Sequence, residues 1–174
     1  MSSEKRNEIS AWYEQHSGAI FRYIVLMVRD NQLAEDLTQE TYIKAFRYYD
    51  TFERKANPKT WLFRIAHNLT VDHLRKQKPI ETLKELLFMG SKPDTLPEDI
   101  VEIKENSKEL YNALGRLKNS HREIIILRKI REFSIQETAE ILNWSESKVK
   151  STLFRAIPAL EEQLIKEGIT YEKN

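Results

Sequence analysis

The stretch KTWLFRIAHNLTVDHLRKQK, residues Lys59 to Lys78, decides how the chain is read. On a helix at about 100° per residue, Trp61, Leu62, Ile65, Ala66 and Leu69 form one wide apolar stripe. Phe63, Val71 and Leu74 form a second on the far side. One narrow polar strip lies between them, carrying Arg64, Asn68 and Arg75. A helix that is apolar on two sides is packed on two sides. What it leaves open is cationic and amide-bearing, the chemistry that meets phosphates and base edges. A core helix with incidental surface arginines explains this strip equally well, so the segments around it have to decide.

The loop just upstream, Asp50 to Lys59, carries Arg54, Lys55 and Lys59, and Asn57-Pro58 is a helix-start signal. Loop and strip can therefore form one basic surface. Tyr48, Tyr49, Phe52, Trp61 and Phe63 offer faces for unpaired bases, although helices of this length also need such side chains for a core. Charge is segregated along the chain. Arg54 to Lys78 holds seven Lys/Arg against one acid, whereas Glu81 to Glu109 holds eight acids against four lysines. Further upstream the periodicity predicts helices over residues 4–29 and 32–49, separated by a stop and cap at Asp30-Asn31. The second helix groups Asp36, Gln39 and Glu40 with Leu37 near its start. Acids there are stabilised by the helix dipole, and the same group also suits contact with a basic partner helix.

Downstream, Pro79 is expected to end the basic helix. Residues 80–100 combine a short amphipathic piece, including a Leu83–Met89 apolar cluster, with Gly90, Ser91, Pro93 and Pro97, a linker composition. A helix follows over about residues 98–118, and Ser120 with Glu123 reads as a capping box opening the next. Ser134 with Glu137 is a second capping box. It starts a two-turn helix that Asn143 can end in a left-handed conformation. Ser145 can cap the helix after it, in which Pro158 should introduce a kink or a stop. Two helices joined by so short a turn, with the small Ala139 where they cross, make a helix-turn-helix. The outer face of the second helix is expected to show Ser147, Lys148, Lys150, Ser151, Thr152 and Arg155, a set suited to a major groove. Helical hairpins without such a role are also common.

Composition bounds the rest. The chain has 174 residues, 40% apolar and 32% charged, with Gly 4, Pro 5 and Cys 0. Disulfides and thiolate metal sites are thereby excluded, and a reducing, cytoplasmic setting is expected. Its four histidines are dispersed singly, and it contains no Gly-rich phosphate loop. No enzyme, metal, cofactor or small-molecule substrate is expected. The fold class is all-α, with two small helical domains joined by a linker and a helix-turn-helix in the second. The boundaries are 1–79, an acidic linker over 80–104, and 105–174.

Three blocks then carry a resemblance: Asp36-Leu37-Thr38-Gln39-Glu40-Thr41-Tyr42; Trp61 to Asn68 with Asp72-His73-Leu74-Arg75; and the C-terminal helix-turn-helix. In order and spacing, over nearly the whole chain, the sequence resembles the bacterial extracytoplasmic-function sigma factors. The resemblance implies docking on core RNA polymerase through Asp36, Leu37, Gln39 and Glu40. It implies opening and reading of a promoter −10 element through Arg54, Lys55, Asn57, Lys59, Trp61, Arg64, Asn68 and Arg75. It implies reading of a −35 element through the recognition helix around Lys148 to Arg155, and control by an anti-sigma factor, commonly membrane-tethered. The family usually has arginine where Thr152 stands and glycine where Asn143 stands. A free-standing helix-turn-helix regulator is the alternative, separable by whether specific DNA binding needs core polymerase.

Overall fold

In a computed structural model, which describes residues 2–87 and 107–169, every regular element is helical among the described residues. Helix α1 (Ser3–Val28) begins where Ser2 accepts from the Lys5 amide and ends at Arg29, which turns left-handed at φ 60°. Every residue from Tyr23 to Met27 on α1 is buried. One packed face cannot do that at 3.6 residues per turn. α1 is covered on one side by helices of its own half of the chain and on the other by the C-terminal half. Helix α2 (Asn31–Arg47) is capped by Asp30, whose carboxylate accepts from Leu33 N at 3.1 Å. It packs along α1, and its buried threonines Thr38 and Thr41 donate to carbonyls four residues back at 2.7 Å. A short 3-10 turn (Tyr49–Thr51) and the basic loop lead into helix α3 (Pro58–Leu87), the helix of the opening stretch.

Pro79 does not end α3, which runs on to Leu87. Proline removes one backbone bond, and the good helix formers that follow it in sequence, Glu81 to Leu87, carry the helix past that loss. The expected linker core, 88–106, lies outside the described residues.

The C-terminal half comprises α4 (Ser107–Gly115), α5 (Asn119–Ile125), a π turn (Ile126–Ile130), α6 (Ile135–Leu142) and α7 (Glu146–Lys166). α6 and α7 are the expected helix-turn-helix. Ser134 and Glu137 form the reciprocal capping box, Asn143 sits left-handed at φ 56°, and Ser145 caps α7. Pro158 lies inside α7, which continues for two further turns. The first expected capping box does not form. α5 starts two residues earlier than that cap implies, at Asn119 with Lys118 before it, and Glu123 is buried in the interface with the N-terminal helices.

α3 meets α1 and α2 on one side and α6 on the other. Its first stripe, with Leu62, Ala66 and Leu69 buried, faces the N-terminal core. Phe63, from the second stripe, stacks edge-on against Phe133 of the C-terminal half, with ring centroids 4.8 Å apart. Among the described residues no helix is long and apolar enough to cross a membrane.

Candidate nucleic-acid interface

The polar strip of α3 is on the surface. Arg64, Asn68 and Arg75 are exposed, with Arg75 3.8 Å from Asp72 one turn back. Beside the strip is a cleft of about 270 Å³ lined by Lys44, Tyr48, Thr51, Trp61, Arg64, Ile65 and Asn68. That lies below the range of small-molecule sites, roughly 300–1,000 Å³. It combines aromatic faces, two cations and two short polar groups, which suits part of a nucleotide chain. Trp61 is half-buried, its ring held edge-on to Trp12 (6.0 Å) and against Phe52 (5.1 Å). Its position is therefore fixed before any ligand arrives. Tyr48 was expected among the aromatic faces, whereas Lys44 and Thr51 were not anticipated from the sequence. They come from the end of α2 and the 3-10 turn, and only the crossing of α2 with α3 brings them to the strip.

The loop residues divide. Lys55 is exposed. Arg54 is drawn back onto α1, donating to Glu8 and to the Tyr49 hydroxyl, both at 2.6 Å. Tyr49 in turn donates to Glu8 at 2.5 Å, and that bond, more than Arg54, holds the Glu8 carboxyl below its usual range. Asn57 accepts from the Lys59 amide at 2.9 Å and so caps α3. The Lys59 ammonium lies 5.3 Å from the centre of the Phe133 ring, in contact with the C-terminal half.

In the acidic patch, Asp36, Gln39 and Glu40 are exposed and Asp36 accepts from Gln32 at 3.2 Å. Leu37 is not part of that surface. It is 5% exposed, because it shares the three- and four-residue spacing of Ala34, Thr41 and Ala45 that turns toward the core. Thr152 needs the same correction. It stands with Val149 and Ala156 on the buried stripe of α7 and is 4% exposed. Ser147, Lys148, Lys150, Ser151 and Arg155 are all exposed. Phe154 joins them at 82% exposure, although apolar periodicity by itself gives an aromatic no reason to face water.

Sequence reasoning also missed the contact between the two halves. Glu123 Oε2 accepts from the Tyr23 hydroxyl and lies 2.7 Å from His67 Nδ1. Burial first, and then the neighbouring Glu123 carboxylate, push the Tyr23 phenol well above its usual range, so it keeps the proton it donates. The adjacent Arg122 is also buried. It donates to the carbonyls of Leu114, Gly115 and Leu117 at the end of α4 and, at 2.7 Å, to Met27 at the end of α1. One guanidinium thus serves the negative ends of two helices. No local pattern announces these roles; Glu123 resembles an ordinary first-turn acid. Among the described residues no cluster of acidic or histidine side chains is arranged to hold a metal.

Residues 12–80 match the family model Sigma-70 region 2, and residues 107–160 match Sigma-70, region 4. The chain is 37% identical over 157 residues to the ECF RNA polymerase sigma factor SigX of Bacillus subtilis, covering 87% of this chain and 81% of that protein. It is 32% identical to SigM of the same organism, over 92% of this chain and 96% of that one. Among solved structures it resembles the sigma factor RpoE of Bartonella quintana, which is bound there to the anti-sigma factor NepR. That match has a TM-score of 0.76 and 26% identity, over 91% and 97% of the two chains.

Proposed function

The chain belongs to the extracytoplasmic-function sigma factors of the sigma-70 family, and on that premise we propose how its surfaces divide the work of an alternative sigma factor. Such a factor is a promoter-specificity subunit rather than an enzyme. In our reading residues 1–79 form the unit that docks on core RNA polymerase and takes the opened −10 strand, and residues 105–174 form the unit that reads the −35 duplex. The exposed Asp36, Gln39 and Glu40 meet a basic helix of the polymerase; Leu37 supports them from beneath. The cleft beside Trp61, Arg64 and Asn68 receives an unstacked base, with Arg64, Lys44, Lys55 and Arg75 on the phosphates. Asn57 and Trp61 shape that site from behind, while Arg54 and Lys59 reach DNA only by leaving their present partners. Ser147, Lys148, Lys150, Ser151 and Arg155 line the major groove, and Phe154 adds an apolar contact suited to a thymine methyl.

The observation that carries this reading is the cleft: an aromatic wall, cations and an amide on a helix whose other two sides are packed. It argues against a free-standing regulator, which has no use for a single-strand site. Work on chromosomal promoters places the protein in the cytoplasm, and control by an anti-sigma factor is expected of it. Run-off transcription with purified core polymerase on a promoter library tests the proposal. Initiation from a selected promoter class supports it; no initiation and no co-purification with core overturns it.

A further inference from the structure

We propose that Glu8, on α1, is a positioning residue of the −10 site: it grips the segment from Tyr49 to Arg54 at both ends and so fixes the wall that Tyr48 and Thr51 give to the cleft. The inference rests on the reading of that cleft as the place where an unstacked base is received.

Three side chains form a closed ring. The Tyr49 hydroxyl donates to Glu8 Oε2 at 2.5 Å, and Arg54 donates to Glu8 Oε1 at 2.6 Å. Arg54 also donates to the Tyr49 oxygen at 2.6 Å, so each member is bonded to the other two. An exposed ion pair by itself adds little, because salt screens it and holding two long side chains together costs entropy. This pair has support. Glu8 is only 23% exposed, and the Tyr49 ring lies against Trp12 with centroids 6.0 Å apart. The Lys5 ammonium and the Arg54 guanidinium both lie within 6 Å of the centre of the Tyr49 ring, at 5.8 and 5.6 Å.

The ring fastens a short piece of chain to α1. Tyr49 and Arg54 are five residues apart, so little freedom remains between them once both ends are held. Inside the segment, Phe52 packs against Trp12 at 5.2 Å and Trp61 at 5.1 Å, and its amide donates to the Tyr49 carbonyl at 3.0 Å. Thr51 donates through its hydroxyl to the Tyr48 carbonyl at 2.7 Å. Tyr48, Thr51 and Trp61 line the cleft, whereas Glu8, Tyr49 and Arg54 do not. Their effect on a bound base therefore passes through the turn. A binding site discriminates only as finely as its supporting bonds hold its walls in place. The ring also gives Arg54 a role that needs no DNA contact. Bonded to Glu8, it supplies geometry, and its charge is already met.

The test uses holoenzyme reconstituted from core polymerase and the full-length chain. Fluorescence anisotropy measures its binding to a single-stranded oligonucleotide carrying the selected −10 element, and to versions with each base replaced in turn. Glu8→Gln keeps the side-chain length and removes the charge and one acceptor oxygen; Tyr49→Phe removes only the hydroxyl. Each should lower the discrimination at one base position about fivefold, the factor carried by one net hydrogen bond, and leave the other positions unchanged. The double variant should lose no more than either single one, because both act through the same ring. The salt dependence and the thermal transition should match the unmutated chain. Unchanged discrimination in both variants overturns the proposal, and so does an equal loss at every position. Tighter binding to every oligonucleotide, with a salt slope steeper by roughly 0.7, would mean that Arg54 had been freed onto a phosphate, and also overturns it. If Glu8→Gln loses helicity by circular dichroism, Tyr49→Phe decides alone. Unmutated holoenzyme that prefers no base at any position refutes the reading of the cleft itself, a result distinct from variants that keep a preference the unmutated chain displays.

Discussion

Phe154→Ala separates binding from folding more cleanly than any other change in the recognition helix. The ring is 82% exposed, so only about a fifth of it is covered. An aromatic side chain presents about 150–250 Å², so the protected area is on the order of 40 Å², ~1 kcal/mol at about 25 cal/mol/Å². Alanine recovers about half of that through helix propensity. The fold should therefore lose less than about 1 kcal/mol. Docked in a groove with half its exposed area covered, the ring would bury about 80 Å², or ~2 kcal/mol, and its loss would weaken binding about thirtyfold. The measurement is fluorescence anisotropy on a duplex carrying the selected −35 element, repeated with each thymine replaced in turn by deoxyuridine, which lacks the methyl group. One replacement should weaken the wild type and leave Phe154→Ala unaffected. The salt dependence should be unchanged, since no phosphate contact is removed. Equal binding by the variant, or a loss not coupled to any thymine methyl, refutes the placement of this ring in the groove.

Three other outcomes are expected. Asp36→Lys should abolish co-purification with core polymerase while leaving the thermal transition in place, because Asp36 is exposed and caps nothing; unfolding would instead assign it a structural role. Ser134→Ala removes the acceptor for the Glu137 amide at 3.0 Å and should cost about 1 kcal/mol, a drop of roughly 4–8 °C in the C-terminal transition; an unchanged melt means that the cap is dispensable. Burial, and then nearby Lys59 for His16 and Lys118 and Arg155 for His121, hold both imidazoles below the ordinary 6.5. The unfolded chain then binds more protons just below that pH, so stability should be full above about pH 6.5 and fall on acidification through the folded values. Urea titrations at stepped pH should show this slope, and the double change His16→Gln, His121→Gln should flatten it; an unaltered slope assigns the titration elsewhere.

Features written into a few adjacent residues were legible in the sequence. Asp30, Ser134 with Glu137, Asn143 and Ser145 each do locally what their side chains permit, and the helix boundaries follow from them. Pro79 was misleading because one lost backbone bond does not stop a helix whose following residues favour it. Leu37 and Thr152 are buried because spacing outranks residue type, and each falls in a three- and four-residue row with small or apolar neighbours. Glu123 was read as a cap because its true partners, Tyr23 and His67, are 100 and 56 residues away. The cleft was half legible: Trp61, Arg64 and Asn68 lie on one helix, whereas Lys44, Tyr48 and Thr51 arrive through tertiary packing.

α3 unites these observations, because each of its three sides has a different neighbour. One side is fixed on α1 and α2, and that packing does not depend on whether the halves are together. The exposed strip of Arg64 and Asn68 is therefore held in place by packing within the N-terminal half. The remaining side, with Phe63, His67 and Lys59, faces the C-terminal half. His67 lies between Arg64 and Asn68 in sequence yet turns inward to Glu123, so the contact between the halves and the polar strip share a helix without sharing a side chain. Weakening that contact should accordingly leave unchanged which bases α3 prefers. A variant such as Tyr23→Phe, which removes only the hydroxyl bonded to Glu123, should therefore initiate with an unaltered −10 preference, and a changed preference would mean that the strip is shaped by that contact after all.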